Sequence, residues 1–280
     1  MKLSIITPSF RNSKWLKLCI ASVADQQGVD VEHIVQDACS DDGTQDWLPK
    51  DKRVSAFMEK DRGMYDAINR GWQRSGGEIL AHLNCDEQYL PGALAKVHAH
   101  FEQHPETDIL VADTVIVDAD GKFLCCRKCI EPLPVLIWLH NPTITSSIFI
   151  RRRVIERPGL LFDTKWRDLG DIFWMIEAVK QRLNFAVLGD FTSTFADTGE
   201  NMNLKPNALR ERETKVQMTP PWIRRCNWPL VQLVRTRNLL RGIYRQSPFN
   251  YALYTHASPE RRVEHVVENP VCRWHNRHGQ

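Results

Sequence analysis

Two carboxylates stand side by side at the end of a predicted buried strand, Asp86 and Glu87, shortly after Asn84. Adjacent acids in such a position are costly unless a cation offsets their charge. Hard divalent ions prefer oxygen ligands and commonly share a few protein carboxylates with substrate phosphates. The pair therefore predicts a Mg²⁺ or Mn²⁺ site with Asp86 as the first ligand. Alternatively, both acids cap the helix that begins at Pro91, since acids near helix starts are common.

Polar residues also gather after three other short apolar runs, at residues 8–12, 37–44 and 60–62. The middle segment is a turn by composition, because Asp and Ser bond the local backbone and Gly43 permits a positive φ. Lys60 and Arg62 could reach a diphosphate, and the planar guanidinium is the better fit to phosphate oxygens. Solvated surface positions are the alternative for both cations.

The elements that must position these residues alternate between strand and helix. Apolar periodicity predicts strands over residues 3–7, 31–36, 54–59 and 79–84, and helices over residues 13–24, 65–74 and from Pro91 to before Pro105. Such alternation predicts an α/β fold with a doubly wound, mostly parallel sheet of the Rossmann-like kind. Ligands of open sheets bind at the carboxyl ends of the strands. Four consecutive strand ends therefore indicate one site.

Three segments, in order, resemble the signatures of family 2 glycosyltransferases of the GT-A fold. They are DACSDDGT at residues 37–44, EKDRGMYDAINRG at 59–71 and GEILAHLNCDE at 77–87. In that family the first aspartate hydrogen-bonds the nucleobase, a role that the resemblance assigns to Asp37. The chain departs from the pattern at Cys85, where the family has a small residue, and at Glu87, where it has a second aspartate.

The resemblance also implies a catalytic base. Transfer with inversion needs a group that deprotonates the acceptor hydroxyl while the diphosphate leaves from the opposite face of the sugar. Residues 166–177 resemble the aspartate-led helix of the family, and Asp171 matches the base position best. Asp168 is the alternative. Either acid could instead be a helix N-terminal residue that the helix dipole favours.

Strand-end positions and the resemblance together predict the contacts to a donor nucleotide. The predicted residues are Thr7, Pro8, Phe10, Asn12, Asp37, Asp61, Arg62, Asp66, Asn69, Asn84 and Asp86. The implied activity is inverting, metal-dependent transfer from a nucleotide-diphosphate sugar, a UDP-sugar in the first instance, to a glycan or lipid-linked glycan. Because Cys85 and Glu87 depart from the family pattern, a non-catalytic protein that binds a nucleotide sugar or a glycan remains an alternative. A nucleotidyltransferase is disfavoured because residues 8–12 contain no glycine to cradle a triphosphate.

Composition limits the partners and the location. The chain has 280 residues, 42% hydrophobic and 25% charged, with a net charge of +3, which is too small and too scattered to predict nucleic-acid binding. Its best apolar stretch, residues 135–150, is interrupted by His140, Asn141 and Pro142 and falls short of the about 20 residues that cross a bilayer. We therefore expect a cytoplasmic protein, and the eight scattered cysteines are expected to be reduced.

The last part of the chain differs from the rest in amino-acid composition. We expect a GT-A catalytic domain over residues 1–215, in which residues 1–104 bind the donor and residues 105–215 supply the acceptor site and the base. Residues 192–203 are predicted to be a loop. Residues 216–280 are predicted to form a helical, basic extension, where arginines alternate with large apolar residues. Such a segment could contact the anionic lipids at the inner face of the cytoplasmic membrane, or it could pack against the catalytic domain.

Overall fold

Strands and helices alternate in the N-terminal half, as the apolar pattern predicts. The computed structural model describes residues 1–199 and 206–272. The elements of this half are β1 (Lys2–Ser9), α1 (Ser13–Ala24), β2 (Asp30–Asp37), α2 (Thr44–Trp47), β3 (Ser55–Met58), α3 (Met64–Arg74), β4 (Ile79–His82), β5 (Gln88–Tyr89) and α4 (Ala93–Gln103). The predicted helix at residues 13–24 is confirmed to the residue, because its apolar side chains repeat at helical spacing and face the sheet.

Four strands of this half form a parallel unit in the order β3-β2-β1-β4. Ser9 pairs with Asp37, and Asp37 pairs with Met58, so the carboxyl ends of β1, β2 and β3 lie side by side. Helix α3 lies close to this unit, since a Cβ at Gly71 would come within 2.5 Å of the Ile6 side chain. The parallel register therefore brings the polar segments after these strands to one edge of the sheet.

The second half extends the same sheet with strands of both directions. Its elements are β6 (Ile109–Val117), β7 (Phe123–Arg127), β8 (Ile148–Arg151), α5 (Arg152–Ile155), α6 (Gly170–Lys180) and β9 (Phe185–Ala196). Strand β8 runs antiparallel between β4 and β6, while β9 is parallel to β6. The sheet order is β3-β2-β1-β4-β8-β6-β9-β5, and β7 pairs with β6.

Two hydrophobic cores cover the two faces of the sheet. Leu3 and Ile5 point to the face that α1 and α4 cover, whereas Ile6 points to the face that α3 and α6 cover. Side chains alternate between the faces of a strand, so neighbouring apolar residues of β1 feed both cores. A strand buried on both faces reads as a continuous apolar run, which explains the sequence of β1.

The C-terminal part begins with helices α7 (Pro206–Met218), α8 (Pro221–Arg225) and α9 (Asn227–Leu240). A hairpin of β10 (Phe249–Thr255) and β11 (Ser258–Val267) follows, so the prediction of a wholly helical extension is wrong for these strands. Tyr251 and Leu253 alternate with more exposed residues and pack on Leu90 and Val115, a strand pattern that the arginine-rich context obscured.

The predicted loop at residues 192–203 is also wrong in its first part. Residues 192–196 are the end of β9, because Thr192, Ser193 and Thr194 are buried and pair with the sheet. Residues 200–203 lie outside the described residues. The eight cysteines all fall within the described ranges and form no disulfide there. No helix in the described part of the chain is long and apolar enough to span a bilayer.

Candidate active site

The loop after β1 and the loop after β4 meet at the edge where the parallel strands end. Asn12 precedes α1, and its side-chain Nδ2 donates a hydrogen bond to Cys85 Sγ at 3.2 Å. Arg11 adopts a left-handed φ of 51° and pairs through Nε with Asp41 Oδ1 at 2.6 Å. The Phe10 ring stays 56% exposed beside this pair. Three of the predicted strand-end segments are thus joined by direct contacts.

Asp37 ends β2 and is fully buried. Its two carboxylate oxygens accept hydrogen bonds from the backbone N–H and the hydroxyl of Ser40, both at 2.7 Å. Its backbone carbonyl accepts a hydrogen bond from the N–H of Glu59, which ties the ends of β2 and β3. The carboxylate therefore shapes the turn that the sequence predicts after β2.

Asp61 and Asp66 form an acidic pair beside Asp37. Burial raises the pKa of Asp61, and the negative charges of Asp66 and Asp37 raise it further. Burial acts in the same direction on Asp66, but hydrogen bonds from Arg62 and the nearby guanidinium of Arg70 hold the pKa of Asp66 below its usual value. The Arg62 side chain remains 72% exposed, although its guanidinium lies 3.2 Å from the buried Asp66 carboxylate.

The Asp86 and Glu87 pair follows β4 as predicted, but the two side chains have different surroundings. Glu87 is 1% exposed, and its Oε2 accepts the backbone N–H of Asn84 at 2.8 Å. Burial raises the pKa of Glu87 to about 8, with Asp86 as the next cause, and burial also raises the pKa of Asp86. Asp86 is partly exposed. Asp86 is therefore the carboxylate that can meet a ligand from solvent.

A divalent cation fits this donor set. Within the described residues, Glu87 Oε1 and Asn84 Oδ1 are buried oxygens without a hydrogen-bond partner. Unsatisfied buried oxygens are costly, and oxygens are the ligands that Mg²⁺ and Mn²⁺ prefer. The described ranges hold no group of three or more His, Cys, Asp or Glu placed around one metal position. Glu87 and Asn84 thus carry oxygen atoms of the type that such a cation takes as ligands.

Asp171 lies in the first turn of α6 and faces α3. Its Oδ1 accepts a hydrogen bond from the Tyr65 hydroxyl at 3.2 Å, and its backbone N–H donates to that hydroxyl at 3.2 Å. Burial raises the pKa of Asp171 to about 6, and the Tyr65 hydrogen bond opposes this rise. The charge of Asp171 contributes to the raised pKa of Glu87, so the two acids are within electrostatic range.

Asp168 has a different partner. Its Oδ2 accepts a hydrogen bond from Asn207 Nδ2 of α7 at 2.9 Å. Glu211, also on α7, accepts the backbone N–H groups of Arg167, Asp168 and Leu169 at 2.7, 3.1 and 2.7 Å. Asp168 thus belongs to the contact between α6 and α7, which supports Asp171 as the better candidate for the base.

Thr7 and Asn69 are not brought to this site, and the nucleotide contacts predicted for them are not supported. Thr7 is fully buried on the α1 side of the sheet, where its hydroxyl lies 2.9 Å from His33 Nε2. Asn69 is buried and uses its amide to bind the backbone of Phe162 at 2.8 and 2.9 Å. Pro8 is buried within β1. Side chains alternate between the two faces of a strand and follow a 3.6-residue period in a helix. A match to a motif does not take account of these directions, and here they turn Thr7 and Asn69 away from the strand ends.

Sequence reasoning missed three residues around Asp171. Tyr65 binds it directly, Glu211 raises its pKa, and the charge of Lys215 on α7 lies within electrostatic range of it. Tyr65 is inside the motif segment at residues 59–71 and could have been considered as a polar aromatic in the first turn of a predicted helix. Glu211 and Lys215 carry no local signal, because their role depends on where α7 packs.

Comparisons with known proteins show similarity to glycosyltransferases. A family model described as glycosyl transferase family 2 matches residues 4–124. A PGL/p-HBAD biosynthesis glycosyltransferase of Mycobacterium bovis is 32% identical over 119 residues, covering 40% of this chain and 46% of that protein. A GalNAc(5)-diNAcBac-PP-undecaprenol beta-1,3-glucosyltransferase of Campylobacter jejuni is 33% identical over 100 residues, covering 34% of this chain and 32% of that protein.

The fold has solved counterparts. The structure of S. aureus TarS 1–349 in complex with UDP-GlcNAc superposes with a TM-score of 0.61 at 18% identity, covering 78% of this chain and 67% of that one. At 18% identity, this similarity shows that the two chains share a fold. The chain spans about half the length of the first curated relatives it matches, at 57% and 46% of their residues.

Proposed function

We propose that the chain is an inverting, metal-dependent transferase of glycosyl transferase family 2, the family whose model matches residues 4–124. The donor is a nucleotide-diphosphate sugar, a UDP-sugar in the first instance, and the acceptor is a glycan or lipid-linked glycan of a bacterial surface polysaccharide. The observation that carries the proposal is the placement of Asp171, which the Tyr65 hydroxyl binds at 3.2 Å and whose charge is within electrostatic range of Glu87.

The donor end is supported by the acids and cations at the strand ends. Asp37 and Asp61 lie together at the ends of β2 and β3, where a nucleobase and ribose offer N–H and O–H donors. Arg62 is exposed enough to reach a diphosphate. Asp86 and Glu87 would hold Mg²⁺ or Mn²⁺, and such a cation offsets negative charge on a departing diphosphate.

Asp171 is the base in this proposal. With a pKa of about 6, most of its carboxylate is ionised at neutral pH, yet it remains basic enough to accept the proton of an acceptor hydroxyl. The Tyr65 hydroxyl holds Oδ1 in place. The remaining Oδ2 is the atom that would take the proton of the acceptor hydroxyl.

The acceptor class rests on the relatives. One of them is named for transfer to an undecaprenol-linked glycan, and this supports a lipid-linked acceptor for the present chain. The TarS complex contains UDP-GlcNAc, which supports a UDP-sugar donor. A cytoplasmic location, where nucleotide sugars are made, is part of the same proposal.

A non-catalytic nucleotide-sugar-binding protein is the second candidate, because Cys85 and Glu87 depart from the family pattern. The Cys85 thiol accepts a hydrogen bond from Asn12, so this substitution is accommodated in the loop contact. The raised pKa of Asp171 favours an enzyme, since a binding protein has no need of a carboxylate tuned toward neutrality. A nucleotidyltransferase is disfavoured by the loop after β1, which has no glycine.

Ligand-dependent thermal stability tests the donor site. The protein is heated with UDP, GDP, dTDP or CMP, each with and without Mn²⁺. A nucleotide present at a hundred times its dissociation constant adds about 2.7 kcal/mol to stability. We expect a metal-dependent rise in Tm with one diphosphate, and Asp86→Asn should abolish the metal dependence. No rise with any nucleotide would contradict the donor site.

The base is tested separately with Asp171→Asn. We expect turnover of the UDP-sugar to fall by about 10²- to 10⁴-fold while the nucleotide-induced rise in Tm survives. Asp168→Asn is the matched control, because it changes an acid of the same turn that binds Asn207. Equal losses in both variants would contradict the assignment, and absence of turnover in the unmutated protein with every sugar would favour the binding protein.

A further inference from the structure

Helix α9 exposes an apolar face. Trp228 is 74% exposed, Leu233 53%, Leu239 60% and Leu240 81%. Successive residues of an α-helix are rotated by about 100°, which places these four side chains within an arc of about 140°. We call these four residues the outer face of α9. Large apolar side chains collected on one exposed face of a helix indicate a surface that meets another apolar phase.

The opposite side of the helix packs on the protein. Asn238 is 5% exposed, and Leu230 packs against the core that covers the α3 and α6 face of the sheet. Arg235 and Arg237 lie at the two edges of the outer face, at about 20° and 40° beyond its ends. The helix therefore presents apolar side chains outward with a cation on each side.

Charge in this part of the chain has one sign. Residues 214–259 contain no Asp or Glu. The same segment carries seven cations, Lys215, Arg224, Arg225, Arg235, Arg237, Arg241 and Arg245. A protein partner would ordinarily meet interspersed charges of both signs, whereas an anionic bilayer presents a uniform negative layer above an apolar interior. Tryptophan beside arginine is also the composition that the interface of a bilayer favours.

A cavity opens next to the outer face. Its volume is 710 Å³, and its lining includes Arg127, Lys128 and Arg235 together with Leu239 of the outer face. In the described part of the chain, Arg127 Nε is buried without a hydrogen-bond partner. Burial lowers the pKa of His140, a further lining residue, to about 4, so the cationic character of the cavity at neutral pH comes from the other three side chains.

We propose that α9 lies in the headgroup layer of an anionic bilayer, with its outer face against the acyl chains and the cavity taking a lipid phosphate. Arg235 connects the two parts, since it borders the outer face and lines the cavity. Arg127 supplies an unpaired N–H donor of the kind that binds phosphate oxygens.

Sedimentation with lipid vesicles tests the proposal without any sugar transfer. Vesicles of phosphatidylcholine alone are compared with vesicles that also contain phosphatidylglycerol. We expect binding only to the second kind, weakened by salt because the attraction to the surface is electrostatic. The double variant Leu239→Ser with Leu240→Ser should weaken binding at least about tenfold, since exposed apolar side chains are lost. Val266→Ser is the control, because Val266 is 68% exposed but lies on β11.

The cavity is tested with the double variant Arg127→Gln with Arg235→Gln. We expect binding to phosphatidylglycerol vesicles to fall by about tenfold or more, and Lys52→Gln, which removes an exposed cation elsewhere, to leave it unchanged. Circular dichroism of every variant shows whether the fold is retained. Equal binding of the unmutated protein and the outer-face variant would overturn the proposal. Vesicle-independent dimers that the outer-face variant abolishes would also overturn it, because the occupant would then be a second copy.

Discussion

The environment of one carboxylate, Asp171, depends on two residues that approach it very closely. Gly170 precedes it, and a Cβ at this position would lie 2.5 Å from Cε2 of the Tyr65 ring. A glycine is therefore required for the Tyr65 hydroxyl to reach both the backbone N–H and Oδ1 of Asp171. The hydrogen bond stabilises the charged carboxylate and limits the rise in its pKa that burial causes.

Replacing Tyr65 with phenylalanine should shift the pH dependence of transfer. Loss of the hydroxyl raises the pKa of Asp171 above about 6, because the charged form loses a donor while burial remains. A base works when deprotonated, so the activity rises with pH through this pKa, and the rise moves to higher pH in Tyr65→Phe. Loss of one hydrogen bond to a charged group predicts about a tenfold fall in kcat/KM on the acidic side and a smaller fall at alkaline pH.

The measurement is kcat/KM against pH for the unmutated protein and the variant. The other charged groups that act on Asp171 are Glu211 and Lys215 of α7 and Glu87 after β4, and all are retained in the variant. Tyr254→Phe is the matched control, since it also removes a tyrosine hydrogen bond to an aspartate, Asp25. An unchanged profile in Tyr65→Phe would mean that Asp171 does not govern the rise.

At the scale of elements, α7 holds the start of α6 through one side chain. The first backbone N–H groups of a helix have no partner within the helix, and those just before α6 are bound by the Glu211 carboxylate. Glu211 is 5% exposed and also accepts a hydrogen bond from Asn207. The position of Asp171 therefore depends on α7, which lies beyond residues 4–124 of the family match.

The variant Glu211→Ala should lose both stability and activity. Three backbone N–H groups, of which that of Leu169 is buried, lose a charged acceptor, which predicts about 2 kcal/mol of lost unfolding free energy. The start of α6 then moves, and a displacement of about 1 Å at a reacting group can cost about 10²-fold in rate. Denaturant unfolding and turnover measure the two effects.

Glu213→Ala is the control for this prediction, because Glu213 is an exposed acid of the same helix. It should leave stability within about 0.5 kcal/mol and activity unchanged. If Glu211→Ala behaves like Glu213→Ala, then α7 does not position the base.

At the scale of the whole molecule, the C-terminal hairpin is part of the structural core. Arg262 of β11 donates to both carboxylate oxygens of Asp25 at 2.6 and 2.7 Å, and to the carbonyls of Tyr89 and Ser22. Its side chain is 11% exposed, so this bidentate pair is shielded from water. Through these hydrogen bonds, β11 holds the end of α1 and strand β5 together, and β5 directly follows the Asp86 and Glu87 pair.

Arg262→Ala should destabilise the protein by about 2 to 3 kcal/mol, because several charge-assisted hydrogen bonds disappear and Asp25 is left partly buried without a cation. Arg261→Ala, which removes the neighbouring exposed arginine, should change stability by less than about 0.5 kcal/mol. Chemical denaturation at neutral pH measures both. Equal stabilities of the two variants would show that the hairpin is only loosely attached.

Local pattern determined the N-terminal half of this protein and the acids at its strand ends. Helix α1, the parallel strands and the Asp86 and Glu87 pair follow from apolar periodicity and from short motifs, because both act through neighbours in the chain. Only the tertiary structure decided that Thr7 faces α1 and that Asn69 binds Phe162, since these depend on which face of an element is covered. The contacts of Tyr65 and Glu211 with the start of α6 depend on packing between segments distant in sequence, which local pattern does not determine. The β10-β11 hairpin has a local strand pattern, but only the tertiary structure shows where it packs.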